Sequence, residues 1–333
     1  MKKINAKERI FIAGSSGMVG NAICNSLKKH GYGLEENNGE LLTPKRKELD
    51  LTDYNSVKDW FKENNPSIVI LAAAKVGGIL ANSIYPADFI LQNLKIQNNV
   101  IETAFNYGVK RFLFLGSSCI YPKFCSQPIS EDYLLKGKLE ETNESYAIAK
   151  IAGIKLCQSL RKQYGFDAIS LMPTNLYGPN DNYHNKNSHV MAALIKRFCI
   201  AKRENYKSVT CWGTGSPLRE FMHVEDLGEA VIFALENWDP SNPNAPKDKE
   251  GKPLTFLNVG TGKEISIFHL ANKIANIINF DGEIIWDNKK PDGTPRKLLN
   301  IEKILSTGWK AKVNLDEGIK NTIKSYKKEH DKI

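Results

Sequence analysis

Arg9-Ile10-Phe11-Ile12-Ala13-Gly14-Ser15-Ser16-Gly17-Met18-Val19-Gly20 decides the fold. A short apolar run ends directly in glycines at G-x-x-G-x-x-G spacing. Val19, Ile23 and Leu27, at four-residue intervals, then predict a helix over 18–29. Glycine allows a tight strand-to-helix turn and close packing of the two elements. It also lets backbone N–H groups approach a pyrophosphate at the positive end of the helix. A glycine triple alone is any tight turn. The strand before it and the helix after it make Gly14, Ser15, Ser16, Gly17, Met18, Val19 and Gly20 a dinucleotide-binding candidate.

Outward from this turn the chain alternates strand and helix. Leu41-Leu42-Thr43 reads as a strand closed by Pro44, and Asp53 caps a helix over 54–63. Ile68 to Ala73 is a continuous apolar strand of the kind buried on both faces. A helix over 86–107, a strand over 111–116, a helix over 145–164 and a strand over 168–172 stopped by Pro173 follow. This predicts an α/β fold with a doubly wound, Rossmann-type parallel sheet. The pattern changes at Gly178-Pro179-Asn180-Asp181-Asn182. A smaller, discontinuous α/β substrate domain is expected beyond, with helices near 266–279 and 315–329. The division expected is 1–178 with 220–262 for the nucleotide and 179–219 with 263–333 for the substrate. Residues 239–253 carry four prolines and mixed charge and read as an exposed insertion.

Composition narrows the function. With 333 residues, 41% hydrophobic and 25% charged, the chain is neither disordered nor a small disulfide scaffold. It contains no long apolar run and no signal-peptide pattern, so no membrane association is expected. The six cysteines form no C-x-x-C pair and no metal-ligand spacing. They read as reduced thiols of a cytoplasmic protein, and no metal is expected. The net charge of +9 is spread along the chain, which favours small phosphorylated ligands over nucleic acid.

Two further constellations carry chemistry. Glu40 precedes the second strand instead of ending it, whereas Pro44-Lys45-Arg46 follows the strand. Arg46 suits a 2′-phosphate, so NADP(H) is preferred over NAD(H). Tyr146 and Lys150, four apart, share a helix face. The ammonium is expected to favour the phenolate and lower the tyrosine pKa, making Tyr146 an acid/base candidate. Ser117 ends the fourth strand, at the edge where open α/β sheets bind ligands.

The combination resembles the extended short-chain dehydrogenase/reductases. Within them the chain is similar to the GDP-L-fucose synthase family from about residue 9 to 330. The matching segments are Leu71-Ala72-Ala73-Ala74-Lys75-Val76-Gly77-Gly78-Ile79, Gly116-Ser117-Ser118-Cys119-Ile120-Tyr121-Pro122-Lys123, Pro173-Thr174-Asn175-Leu176-Tyr177-Gly178-Pro179, Asn187-Ser188-His189-Val190, Arg219-Glu220-Phe221 and Pro291-Asp292-Gly293-Thr294-Pro295-Arg296-Lys297. The resemblance implies an NADPH-dependent 3,5-epimerase and 4-reductase acting on GDP-4-keto-6-deoxy-D-mannose. It implies Ser117, Tyr146 and Lys150 as the reduction triad, with Lys150 also holding the nicotinamide ribose. Cys119 and His189 become the epimerisation pair. Protons α to the C4 ketone are acidic, and inversion needs one group on each face. The resemblance further implies that Pro173, Thr174, Asn175, Leu176 and His189 line the cofactor. It assigns substrate contacts to Arg197, Trp212, Arg219, Asp292 and Lys297. A homodimer through helices near 86–107 and 145–164 is expected.

Three alternatives are weighed. A 4-reductase of another GDP-4-keto sugar without efficient epimerisation is the near one. A GDP-mannose 4,6-dehydratase needs a carboxylate after the serine, where this chain has Ser118-Cys119. A non-catalytic NADP-binding scaffold would be expected to lose the Tyr-Lys pair. One departure from the family is Ser16, where some members carry an arginine for the 2′-phosphate.

Overall fold

The computed structural model describes residues 2–185, 187–290 and 292–330, so Pro291 of the last motif lies outside the described residues. Strands β1 (Arg9–Ala13), β2 (Glu40–Leu42), β3 (Ile68–Leu71), β4 (Arg111–Leu115) and β5 (Ala168–Pro173) are followed by β6 (Asn175–Tyr177), β7 (Ser208–Trp212) and β8 (Leu218–His223). Then come β9 (Phe256–Val259), β10 (Glu264–Ser266), β11 (Glu283–Asp287) and β12 (Arg296–Lys297). The helices are α1 (Met18–Lys29), α2 (Tyr54–Asn64), α3 (Ile79–Ile84), α4 (Pro86–Asn106) and α5 (Glu144–Tyr164). They continue with α6 (Val190–Arg203), α7 (Val224–Asn237), α8 (Ile267–Ile278), α9 (Glu302–Ser306) and α10 (Leu315–His330).

The main sheet runs β2-β1-β3-β4-β5-β9, parallel throughout. Side-chain alternation sorts its residues into two cores. Ile10, Ile12, Leu113 and Leu115 meet Ile23 and Leu27 of α1 and Leu227 and Val231 of α7. Phe11, Ala13, Phe112 and Phe114 meet Phe61 of α2, Val100 of α4 and Ile154 of α5. Each such side chain contributes roughly 1.5–3 kcal/mol on burial. The sheet therefore needs apolar residues at both parities, which is why its strands read as unbroken apolar runs. Strand order reverses at β1 and β3, the place where such sheets leave a crevice at their carboxyl edge.

A third core joins Leu194 and Phe198 of α6, Leu270 and Ile274 of α8, and Ile319 and Ile323 of α10. It underlies a sheet ordered β10-β8-β12, to which β6 pairs through β8, and a parallel β7-β11 ribbon. β8 spans the boundary expected at residue 220, and β6 pairs with β8 in parallel. Residues near 304–309, expected with the second domain, pack Ile304 and Trp309 into the first core.

Element ends differ from the sequence reading in physical ways. Pro173 closes β5 as its last residue. The strand read over 41–43 is Glu40–Leu42, so Glu40 opens it and pairs with Arg9 at 2.9 Å, at the edge away from the ligand crevice. The segment 239–253 is largely exposed. It is pinned by Asp239 to Lys3 at 2.7 Å and by the Lys249 N–H to Asp132 at 3.2 Å. All six cysteines are free.

Candidate active site

The glycine turn sits at the β1 carboxyl end. Gly14 has φ +89°, and a Cβ there would lie 2.7 Å from the Ala73 nitrogen beyond β3. A Cβ on Gly20 would overlap the Gly14 carbonyl. These two glycines let α1 begin against the sheet. Gly17 precedes α1 and supplies no side-chain cap, so the first N–H groups of the helix face an open cradle. Backbone this close, with bare amides at a positive helix end, fits a dinucleotide pyrophosphate. Ser16 stands exposed at the tip of the turn. Arg46 is exposed in the segment after β2, at the same carboxyl edge. Thr174, just past β5, donates its hydroxyl to the Glu220 carbonyl at 3.3 Å, and the Asn175 amide donates to the same oxygen at 2.8 Å. Pro173 and Thr174 are buried, with Asn175 and Leu176 half-buried beside them.

At the β4 end, Ser117 accepts from the Cys119 N–H at 3.2 Å, and its hydroxyl favours the phenolate of Tyr146 on α5. Lys150, one turn on, is buried and donates to the Leu115 carbonyl at 2.8 Å, with its ammonium 5.9 Å from the Tyr146 ring centre. The expected electrostatics are reversed here. Burial, reinforced by Cys119, pushes the Tyr146 phenol above its ordinary range, and the Ser117 hydroxyl offsets only part of this. Burial also pulls Lys150 down to about 7. Spacing places the ammonium near the phenol but does not show how little water either group retains.

Cys119 lies in a short turn after Ser117. Its sulfur receives the Lys297 ammonium at 3.3 Å and the Asn143 amide at 3.6 Å. His189 precedes α6 and is exposed. Desolvation holds its imidazolium below the ordinary histidine range, and the Lys297 charge adds to the effect. Its loop is set by the Gly78 N–H, which donates to the Asn187 carbonyl at 3.0 Å. A Cβ on Gly78 would stand 2.6 Å from the Ser188 carbonyl. The Lys75–Ile79 motif thus fixes the approach to His189.

The remaining candidates come from the second sheet. Arg219 of β8 pairs in register with Lys297 of β12. Burial lowers its pKa, while Cys119 and Asp292 act in the opposite direction. Asp292 is occupied: its two oxygens accept the Thr214 N–H and hydroxyl, each at 2.8 Å. It therefore shapes the loop after β7, and its charge acts on Arg219. Arg197 lies 5.2 Å over Trp212, which is 44% exposed.

Sequence reading passed over Asn143, Thr214, Lys290 and the working part of Glu220. Glu220 is fully buried, and burial raises its pKa. It accepts the N–H groups of Thr261 at 2.6 Å, Gly262 at 2.7 Å and Leu299 at 3.0 Å. Its neighbour Arg219 drew attention instead. Asn143 had a local signal, standing just before the helix that carries Tyr146.

Residues 10–246 match the NAD dependent epimerase/dehydratase family. The chain is 52% identical to the probable GDP-L-fucose synthase 1 of Oryza sativa subsp. japonica, over 96% of this chain and 92% of that one. It is 47% identical to the GDP-L-fucose synthase of Escherichia coli (strain K12), over 98% and 99%. Among solved structures, the GDP-mannoheptose C4 reductase of Campylobacter jejuni with NADP bound superposes with a TM-score of 0.85 at 37% identity, covering 97% of this chain and 99% of that one. The chain belongs to the NAD dependent epimerase/dehydratase family, within the extended short-chain dehydrogenase/reductases and on the branch that holds the GDP-L-fucose synthases.

Proposed function

We propose that the chain converts GDP-4-keto-6-deoxy-D-mannose to GDP-L-fucose, inverting C3 and C5 and then reducing the C4 ketone with NADPH. Its relatives support the overall reaction. The observation that carries the division of labour is that Lys297 donates to the Cys119 sulfur at 3.3 Å in the turn after Ser117, while its charge is also felt at His189.

In this reading Ser117 and Tyr146 donate hydrogen bonds to the C4 oxygen, where charge gathers as a neighbouring C–H is removed. Cys119 takes a proton on one face and His189 returns one on the other. Bound NADPH supplies hydride for C4, and Tyr146 then gives its proton to O4. A phenol kept protonated by burial suits that acid role, and Lys150, near neutrality, can replace the proton. Arg219 and Lys297 supply positive charge for the GDP moiety.

Incubation with NADPH and GDP-4-keto-6-deoxy-D-mannose, followed by NMR of the product, tests the reading. GDP-L-fucose is expected. A D-configured deoxy sugar would favour the second reading, reduction without inversion, which the likeness to a C4 reductase supports.

The enzyme is further assigned to the cytoplasm, in keeping with its free thiols. A homodimer is assigned to the outer face of α4 and α5. Leu91 is 54% exposed there, and Phe105, Leu156 and Leu160 line a groove with Asn98 and Glu102. Among the described residues no helix is long and apolar enough to cross a membrane.

A further inference from the structure

We propose that Lys290 binds the diphosphate of the nucleotide sugar, acting with Arg197 across Trp212. This rests on the nucleotide-sugar reading above and adds a binding residue to it.

Register brings the group into place. Trp212 closes β7 opposite Asp287, the last residue of β11. The chain then turns back immediately. The Asp287 carbonyl accepts the N–H groups of both Gly213 at 3.0 Å and Lys290 at 3.1 Å, and its carboxylate accepts the Lys289 N–H at 3.1 Å. This turn carries the Lys290 ammonium to 5.5 Å from the Trp212 ring centre. Arg197 reaches the same indole from α6, its guanidinium 5.2 Å from the ring centre, with one donor on the Thr210 carbonyl at 3.0 Å.

No carboxylate among the described residues pairs with either cation. Asp292 keeps both oxygens on Thr214 and forms no ion pair with either cation. Two cations without an ion-pair partner thus meet on one exposed indole. The missing partner is an anion with two or more charges and oxygens on different sides. A diphosphate meets that description: a guanidinium takes two of its oxygens at once, and an ammonium takes any oxygen within reach. A lysine with a purely solvating role has no reason to fold over the ring. Its neighbour Lys289 carries the same charge but, among the described residues, lies over no aromatic ring, which makes it the internal control.

Calorimetric titration of GDP into the full-length protein at low and moderate salt tests the assignment. Lys290→Ala should weaken GDP binding about tenfold, the scale of one lost charge-assisted hydrogen bond. It should also flatten the salt dependence. Lys290→Arg should recover most of the affinity, Lys289→Ala should bind as the unaltered protein does, and NADP affinity should be unchanged in all three. Equal GDP affinity and salt dependence in Lys290→Ala and the unaltered protein would overturn the proposal. An unaltered protein that ignores GDP but binds UDP would overturn the guanine-nucleotide reading instead. The same variants titrated with UDP would then still decide whether Lys290 holds a diphosphate.

Discussion

The Lys297 ammonium lies 3.3 Å from the Cys119 sulfur, and it is the charge that reinforces burial in depressing the His189 pKa. One cation from β12 therefore acts on both members of the proposed epimerisation pair. Lys297→Met should raise the His189 midpoint, but burial, the larger cause, should still hold it below 6.5. NMR titration of the His189 ring reads this directly, and an unmoved midpoint would contradict it. With its charged donor removed, Cys119 should also support at least about tenfold slower solvent-deuterium wash-in at C3 and C5.

Tyr146→Phe removes the proton donor but keeps the ring. Turnover should fall by about 10²–10⁴-fold, the usual contribution of a positioned acid. Melting temperature and NADP affinity should hold, and an active variant would remove Tyr146 from the chemistry. Cys119→Ser should abolish deuterium wash-in, while exchange at the rate of the unaltered protein would count against the assignment.

Lys150 gives the ligand-free protein a pH signature. Its pKa is near 7 when folded against about 10.5 when unfolded, so between those values the unfolded chain binds more protons. Its contribution to stability therefore rises as pH increases from about 7 to 10.5, and below 7 the full cost of burying the ammonium remains. Lys150→Met should flatten that rise in denaturant melts at pH 7 and 9.5. Parallel pH profiles would show that Lys150 is charged in both states.

The glycine turn separates steric need from ligand need. A Cβ on Gly20 would collide with backbone, whereas one on Gly17 would meet the Gly14 carbonyl at 3.6 Å, an ordinary contact. Gly20→Ala should lower the melting temperature and weaken NADP binding at least about tenfold. Gly17→Ala should leave the melting temperature close to that of the unaltered protein. Similar melting temperatures for the two variants would refute this account of the turn.

What the chain reveals in one dimension follows the range of the interactions. The β1 turn, α1 and the Tyr146–Lys150 pair depend on neighbours within a few residues, and their spacing is visible. Cys119, His189, Arg219 and Lys297 meet only because β8 pairs with β12 and the Gly78 segment touches the 187–188 loop. Family likeness grouped them; periodicity does not. The direction of the Tyr146 shift was misread because a charged neighbour shows in sequence and desolvation does not. The place of Lys290 over Trp212 depends on the β7–β11 register, which no local pattern encodes.

Glu220 fastens Arg219's strand to the turn after β9 and to Leu299, two residues beyond Lys297. Parting those segments would break three hydrogen bonds to a buried carboxylate, each worth about 1.5–3 kcal/mol. The floor of the cleft is accordingly welded. A bulky sugar nucleotide therefore meets a surface already shaped before it arrives, and little of its binding free energy is spent on ordering that surface.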